Sequence, residues 1–325
     1  RHRRSWSEMR DQIYQEYGLR MPEMQVVADD GLAPANYLIR ANQSMSERGI
    51  VPLDCVVVQM NPGQAELFGL QVVAEVDHPI SGVRLFWCRE SSAVRAFAEA
   101  ADVKLLSFFD FVALRAISLC LAMPEDVLTL TQVHQEVKSL EKRYPGLVEE
   151  TLDREFVNTA RLTQIMHELI REGVNVRDIR EVIESVAAYC ATYAKSELQP
   201  SDFDLQEIVS FIRKHRRRQL VGRLLTERKS LRVITLSEGA ESMILGGLGA
   251  ALKVEKGGGL GSMVEPLKSR GIWPVTLLCK SELRESVYSM IRAVGLNIPV
   301  ITQEELDPQI VVESVGVWHA GEIAG

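Results

Sequence analysis

The sequence predicts an α+β protein built of several subdomains, and three observations predict it. The chain has 325 residues and 46% hydrophobic content, more than one core organises, because single cores stop growing at roughly 250–300 residues. Apolar residues alternate in short runs over the first third, and the period then turns helical for roughly 120 residues. After about residue 226 the pattern becomes strand–helix–strand, which reads as a βαβ unit with a parallel sheet.

Residues 1–18 read as a polar helical linker with no core-forming run. Segments 24–28, 37–40 and 55–60 read as strands, separated by Asp29-Asp30-Gly31 and by a turn region at 44–49. Asn61-Pro62-Gly63 is a turn tripeptide that ends the third strand. A second cluster follows, with strands at 83–88 and 103–108 around a helix at 91–101. In the helical stretch, Val133, Val137 and Leu140 lie at i, i+4 and i+7, and Tyr144-Pro145-Gly146 stops their helix. Leu162, Ile165, Met166, Leu169 and Ile170 form one apolar face closed by Gly173 at C′. The next helix starts at Asn175 as its cap, with Asp178 three residues on and Val174 stapled to Ile179. Helix continues over 203–225. The last part reads as a strand at 231–236, a glycine loop at 257–261, a strand at 274–279, a helix capped by Ser281, and strands at 298–301 and 310–317.

Composition excludes several classes. A formal net charge of -7 opposes general nucleic-acid binding. Cys55, Cys88, Cys120, Cys190 and Cys279 show no CxxC spacing and are odd in number, which suits buried reduced thiols in a cytoplasm rather than a disulfide framework. No apolar run reaches the ~18–20 residues of a membrane span. Arg1, His2, Arg3 and Arg4 suit either a solvated tail or a basic cluster following a membrane helix on its cytoplasmic side.

No catalytic or cofactor motif stands out. Gly257-Gly258-Gly259-Leu260-Gly261-Ser262 lacks the Gly-Lys-Ser/Thr ending of a phosphate loop and misses the dinucleotide spacing, as does Gly246-Gly247-Leu248-Gly249. The six histidines have no metal-ligand spacing, so no metal or cofactor is expected. One charge feature remains: Arg213, Lys214, His215, Arg216, Arg217 and Arg218, continued by Arg223, Arg228 and Lys229, form a basic stripe in an acidic chain. Three readings stay open for it, a solvated helix face, a contact with an acidic neighbouring subunit, and a nucleic-acid site. From residues alone the chain is a cytoplasmic binding or scaffold protein without a visible active site.

The order of short motifs then resembles a known family. Gly18-Leu19-Arg20-Met21-Pro22-Glu23, Met60-Asn61-Pro62-Gly63, Asp77 with Pro79, Gly82 and Trp87, and Tyr144-Pro145-Gly146-Leu147-Val148-Glu149-Glu150 follow one another as in the cytoplasmic domain of type III secretion export gates (the FlhA/SctV, or FHIPEP, family). The run 169–180, Leu-Ile-Arg-Glu-Gly-Val-Asn-Val-Arg-Asp-Ile-Arg, is the closest match, and 231–236, 274–278, 298–301 and 304–306 continue it. The resemblance implies a linker from a membrane domain at 1–18, an α/β first subdomain at 19–62 and 103–122, a small inserted second at 63–102, a helical third at 123–225, an α/β fourth at 226–318, and a tail at 319–325. It implies a non-enzymatic ring, commonly of nine subunits in the family, at the inner membrane's cytoplasmic face that docks chaperone–substrate complexes. Its further implied partners are an export ATPase with its stalk and other export-apparatus membrane proteins, with no nucleic acid. The family's chaperone cleft maps onto Pro79, Ile80, Gly82, Phe86 and Trp87, with Leu114 and Arg115 opposite. Ser81, Arg84 and Leu114-Arg115-Ala116 depart from the family pattern there. Arg216, Arg217 and Arg218 are the expected subunit contact.

Overall fold

The computed structural model describes residues 2–41, 45–152, 156–193, 203–247, 259–293 and 295–319. Mixed helix and sheet form three parts that share junctions, as the α+β expectation requires.

Helix α1, His2–Tyr17, is packed rather than a free linker. Ile13 is buried, and Trp6, Met9 and Tyr17 lean on the helical core. Spacing of 6, 9, 13 and 17 gives one apolar face, hidden in the sequence by the charges between. Gly18 follows at φ +78, where a Cβ would meet Arg177 N at 2.2 Å, so only glycine lets the chain turn here. Leu19 and Met21 then drop into the helical core instead of an α/β subdomain.

Segment 24–28 forms no strand pairing among the described residues, with Val26 and Val27 exposed. The first ladder joins β1, Asn36–Ala41, to β2, Met45–Ile50, antiparallel, so the expected turn at 44–49 is mostly strand. A second antiparallel sheet contains β3, Cys55–Val58; β4, Val72–Asp77; β5, Arg84–Arg89; and β6, Leu105–Leu106, in the order β4-β5-β3-β6. The segment 63–102 therefore shares one sheet with its flanks. Helix α2, Ser92–Ala100, is capped by Ser91, and α3, Phe108–Ala122, by a Ser107/Asp110 capping box.

The helical part holds α4, Leu130–Glu141; α5, Pro145–Thr151; α6, Thr159–Arg171; α7, Ile179–Tyr193; α8, Leu205–His215; and α9, Arg217–Gly222. The expected faces of α6 and α7 are buried, including Leu162, Ile165, Leu169, Val182, Ile183 and Val186. Gly173 closes α6 at φ +76, its N–H donating to Ile170 O and Val174 N–H to Leu169 O. Asp178, not Asn175, precedes α7 and accepts from Arg180 N at 3.1 Å. Asn175 accepts from Arg177 N and donates to Gln15 O, which ties the loop to α1.

The C-terminal part is a parallel sheet of β7, Ser230–Leu236; β8, Thr276–Cys279; β9, Val300–Thr302; and β10, Val311–Trp318, in the order β10-β7-β8-β9. Helices α10, Glu238–Leu245; α11, Leu260–Ser269; and α12, Arg284–Ala293, complete it. Trp273 and Trp318 anchor its core. Residues 257 and 258 of the expected glycine loop and the tail beyond 319 lie outside the described residues, and the loop's second half is not loop, since Gly259 caps α11 and Leu260 and Gly261 form its first turn.

Candidate partner-binding surfaces

The β4–β5 hairpin carries most of the residues expected in a docking cleft. His78 N donates to Val83 O at 2.8 Å and Gly82 N to His78 O at 2.9 Å, which closes the tip. The His78 ring folds back, its Nδ1 accepting from Ile80 N at 3.3 Å and Ser81 N at 3.1 Å. Burial pushes that imidazole below its ordinary value, with Glu16 opposing, and a neutral ring is what an accepting Nδ1 needs.

The tip is a junction rather than an open rim. Trp273 Nε1 donates to Ser81 O at 2.7 Å, and Asn297 Nδ2 to Ile80 O at 2.6 Å. Pro79 and Gly82 are buried, and Ile80 leans on the helical core. Gly82 sits at φ +67 with Trp273 Cζ2 3.1 Å from where a Cβ would stand.

Phe86 and Trp87 correct the cleft expectation most directly, being 0% and 3% exposed. Alternation along β5 sends them to opposite faces, and both faces are covered. Phe86 packs with Val58, Ala65, Leu70 and Val94, and Trp87 packs with Val57 and Phe111. Across the expected cleft, Leu114 leans on the helical core, and Arg115 pairs with Glu47 at 2.7 Å. Exposed apolar residues of this part include instead Leu67, Phe68, Val72 and Val73, the last two on β4 at the edge of its sheet.

Sequence reasoning missed an ionic latch beside the hairpin. Arg84 on β5 reaches Glu75 at 3.0 Å and Asp77 at 2.7 Å, and it contacts Glu265 of α11. The Asp77 contact is a charge pair out of hydrogen-bond alignment, since neither atom has a hydrogen-bond partner. Lys268 of α11 meets Asp77 at 2.7 Å and stands 4.9 Å over the Trp273 ring. Asn61 Nδ2 donates to Lys268 O at 3.2 Å. Burial alone would lower the Arg84 pKa, and the Asp77, Glu265 and Glu75 carboxylates more than offset it. The departure of Arg84 from the family pattern was the available signal.

The basic stripe turns largely inward. Arg213 is buried and binds Glu305 through Nε at 2.7 Å, Glu172 at 2.9 Å and Val300 O at 2.9 Å. Arg284 of α12 reaches the same Glu172 at 2.7 Å and Ser210 Oγ at 3.0 Å. Two arginines and two glutamates thus form a buried, charge-balanced cluster joining α6, α8, α12 and the turn after β9. Arg216, expected at a subunit contact, is buried and occupied by Asn175 O, Glu181 and Gln219, each at 2.7 Å. Burial lowers its pKa, and Glu181 offsets this only in part. Arg217 is half-buried and Arg218 exposed.

Among the described residues no group of His, Cys, Asp and Glu is placed to hold a metal ion. None of the five cysteines is in a disulfide, and burial pushes Cys120 to about 11 and Cys279 to about 12, which keeps both protonated and unreactive. Among the described residues no helix is long and apolar enough to cross a membrane.

The profile of the FHIPEP family matches residues 3–311. The flagellar biosynthesis protein FlhA of Helicobacter pylori is 21% identical over 96% of this chain and 42% of its own length. That of Caulobacter vibrioides is 25% identical over 95% of this chain and 43% of its own length. This chain therefore spans about two fifths of the length of these curated relatives. Among solved structures, Chlamydia pneumoniae CdsV superposes with a TM-score of 0.73 at 20% identity, covering 96% of this chain and 89% of that one. CdsV from its complex with CdsO gives 0.72 at 21%, over 96% and 89%. Nonameric EPEC SctV-C gives 0.64 at 16%, over 96% and 92%.

Proposed function

This chain belongs to the FHIPEP family, and from that premise we propose that it is the ring-forming cytoplasmic domain of a type III protein export gate. In this reading it docks chaperone–substrate complexes, passes them toward a membrane channel and catalyses no reaction. The single observation that carries the proposal is a family match spanning residues 3–311 on a fold shared with CdsV and SctV-C.

Relatives bearing flagellar names support export as the process, and the nonameric SctV-C supports a closed ring of copies. The complex of CdsV with CdsO supports a further protein partner for this domain, and in this reading an export ATPase with its stalk is that kind of partner. The membrane half of the gate is assigned to the part of the relatives' length that this chain does not span. Cargo docking at the β4-β5-β3-β6 sheet must then use exposed side chains such as Leu67, Phe68, Val72 and Val73, because Phe86 and Trp87 are enclosed. An apolar surface with a polar rim suits transient docking.

The nucleic-acid reading of the stripe loses support, since Arg213 and Arg216 are paired inside the protein. The test is the assembly state of the concentrated chain by mass photometry and electron microscopy. Closed rings of one subunit count are expected, and monomers at every concentration would contradict the proposal.

A further inference from the structure

The cations of the stripe that stay outward line a groove. Between the first turn of α7 and the α8–α9 bend lies a concavity of about 700 Å³, lined by Glu181, Phe211, Lys214, His215, Arg217 and Arg218 among others. The Phe211 and His215 rings stack at 5.9 Å and 14°, and both line the hollow. Arg217 has no hydrogen-bond or ion-pair partner among the described residues. Lys214 meets Glu304 at 2.7 Å, and Arg218 stands 3.4 Å from Asp307 with 86% of its side chain exposed.

These two outer pairs differ from those of Arg213 and Arg216, which burial locks in place. Solvent-exposed pairs are weakly held and screened by salt, so Glu304 and Asp307 mark where incoming carboxylates are accepted. The cations converge on a hollow, which suits an inserted segment better than a flat face of a second copy. The chain carries a net charge of -7, and salt confines the pull of the groove's cations to about 8–10 Å, so a long polyanion running past them gains no further attraction and meets a net-negative protein. A short acidic segment stays within that range.

We propose that this groove docks a carboxylate-rich segment of a partner protein, its acids pairing with Lys214, Arg217 and Arg218 and an apolar side chain lying on Phe211.

The probe is a labelled poly-glutamate peptide carrying one phenylalanine, titrated against the full chain by fluorescence anisotropy at two salt concentrations. Saturable binding that falls with salt is expected, weakened about tenfold or more by Arg217→Glu with Arg218→Glu. Arg228→Glu, an exposed basic position outside the groove lining, should leave it unchanged. Should charge reversal disturb the fold, Arg217→Gln with Arg218→Gln repeats the test at constant size. Equal binding by wild type and the groove variants overturns the proposal. Stronger competition by duplex DNA of matched charge overturns it in favour of nucleic acid. Loss of self-association in the groove variants, with peptide binding intact, overturns it in favour of a second copy. The titration reads the chain without ring or cargo, so its outcome is independent of the export reading.

Discussion

The C-terminal part meets the helical part through Arg213, Arg284, Glu172 and Glu305, whose side chains are 2–4% exposed. It meets the β4–β5 hairpin through Arg84, Glu75, Asp77, Glu265 and Lys268, where the three carboxylates are 39–47% exposed. The chemistry is the same and the depth is not. A buried pair is costly to break, because one charge is left stranded in a low dielectric. At the hairpin the cations Arg84 and Lys268 are 15% and 8% exposed, but their carboxylates stand half in water, so a lost partner is replaced by solvent more readily than in the buried cluster. Helical and C-terminal parts should therefore move as one body, and the hairpin should be the element that can part from them. Export by a ring that docks cargo, as proposed above, makes use of such a separable element.

The largest effect should come from the buried cluster. Arg213→Met leaves Glu305 and Glu172 with one arginine between them and should destabilise the chain by about 3–5 kcal/mol in chemical denaturation. Adding Glu305→Gln rebalances the charge and should recover part of that loss. Recovery would sharpen the comparison, and a negligible first effect would break it.

Gly82→Ala should cost about 1–2 kcal/mol from the left-handed backbone alone, with the Trp273 contact adding to it. Its signature is loss of the Trp273 environment in near-ultraviolet spectra with the helical part intact. Asp77→Asn removes one carboxylate shared by Arg84 and Lys268 and should cost only about 1 kcal/mol. That loss should be visible as local loosening rather than a lower unfolding temperature.

The smallest effect concerns pH. Burial holds His78 below the ordinary imidazole value of 6.5, so the opened state binds a proton more readily than the closed one. The hairpin contact should be intact above 6.5 and weaken as pH falls through the lower closed-state value, when Nδ1 can no longer accept. Protection factors at the tip, corrected for the intrinsic pH dependence of amide exchange, that do not change on acidification would remove His78 from the account.

Much of the fold was legible in the residues. The faces of α6 and α7, the helix expected over 91–101 and the strand–helix–strand pattern after residue 226 all follow from local period and caps. The misreadings have physical causes. Segment 24–28 has strand-forming residues but no partner strand. Residues 72–77 form β4 although acidic residues break their alternation. The period 209, 212, 213, 216, 220 places Arg213 and Arg216 on the inward face of α8 and α9, yet their charge argued for solvent. Long-range partners such as Glu172 and Glu305 lie 41 and 92 positions away, beyond the reach of local pattern. The docking expectation failed in the same way, because what covers Phe86 and Trp87 is tertiary.

Amide hydrogen exchange of the intact chain, read by mass spectrometry, tests the two-junction account most directly. Residues of α8 and of the turn at 303–305 should exchange only with global unfolding, while residues 78–84 should exchange by a faster, local opening that Asp77→Asn accelerates. Equal protection at both junctions, or faster exchange in α8 than in the hairpin tip, would contradict it.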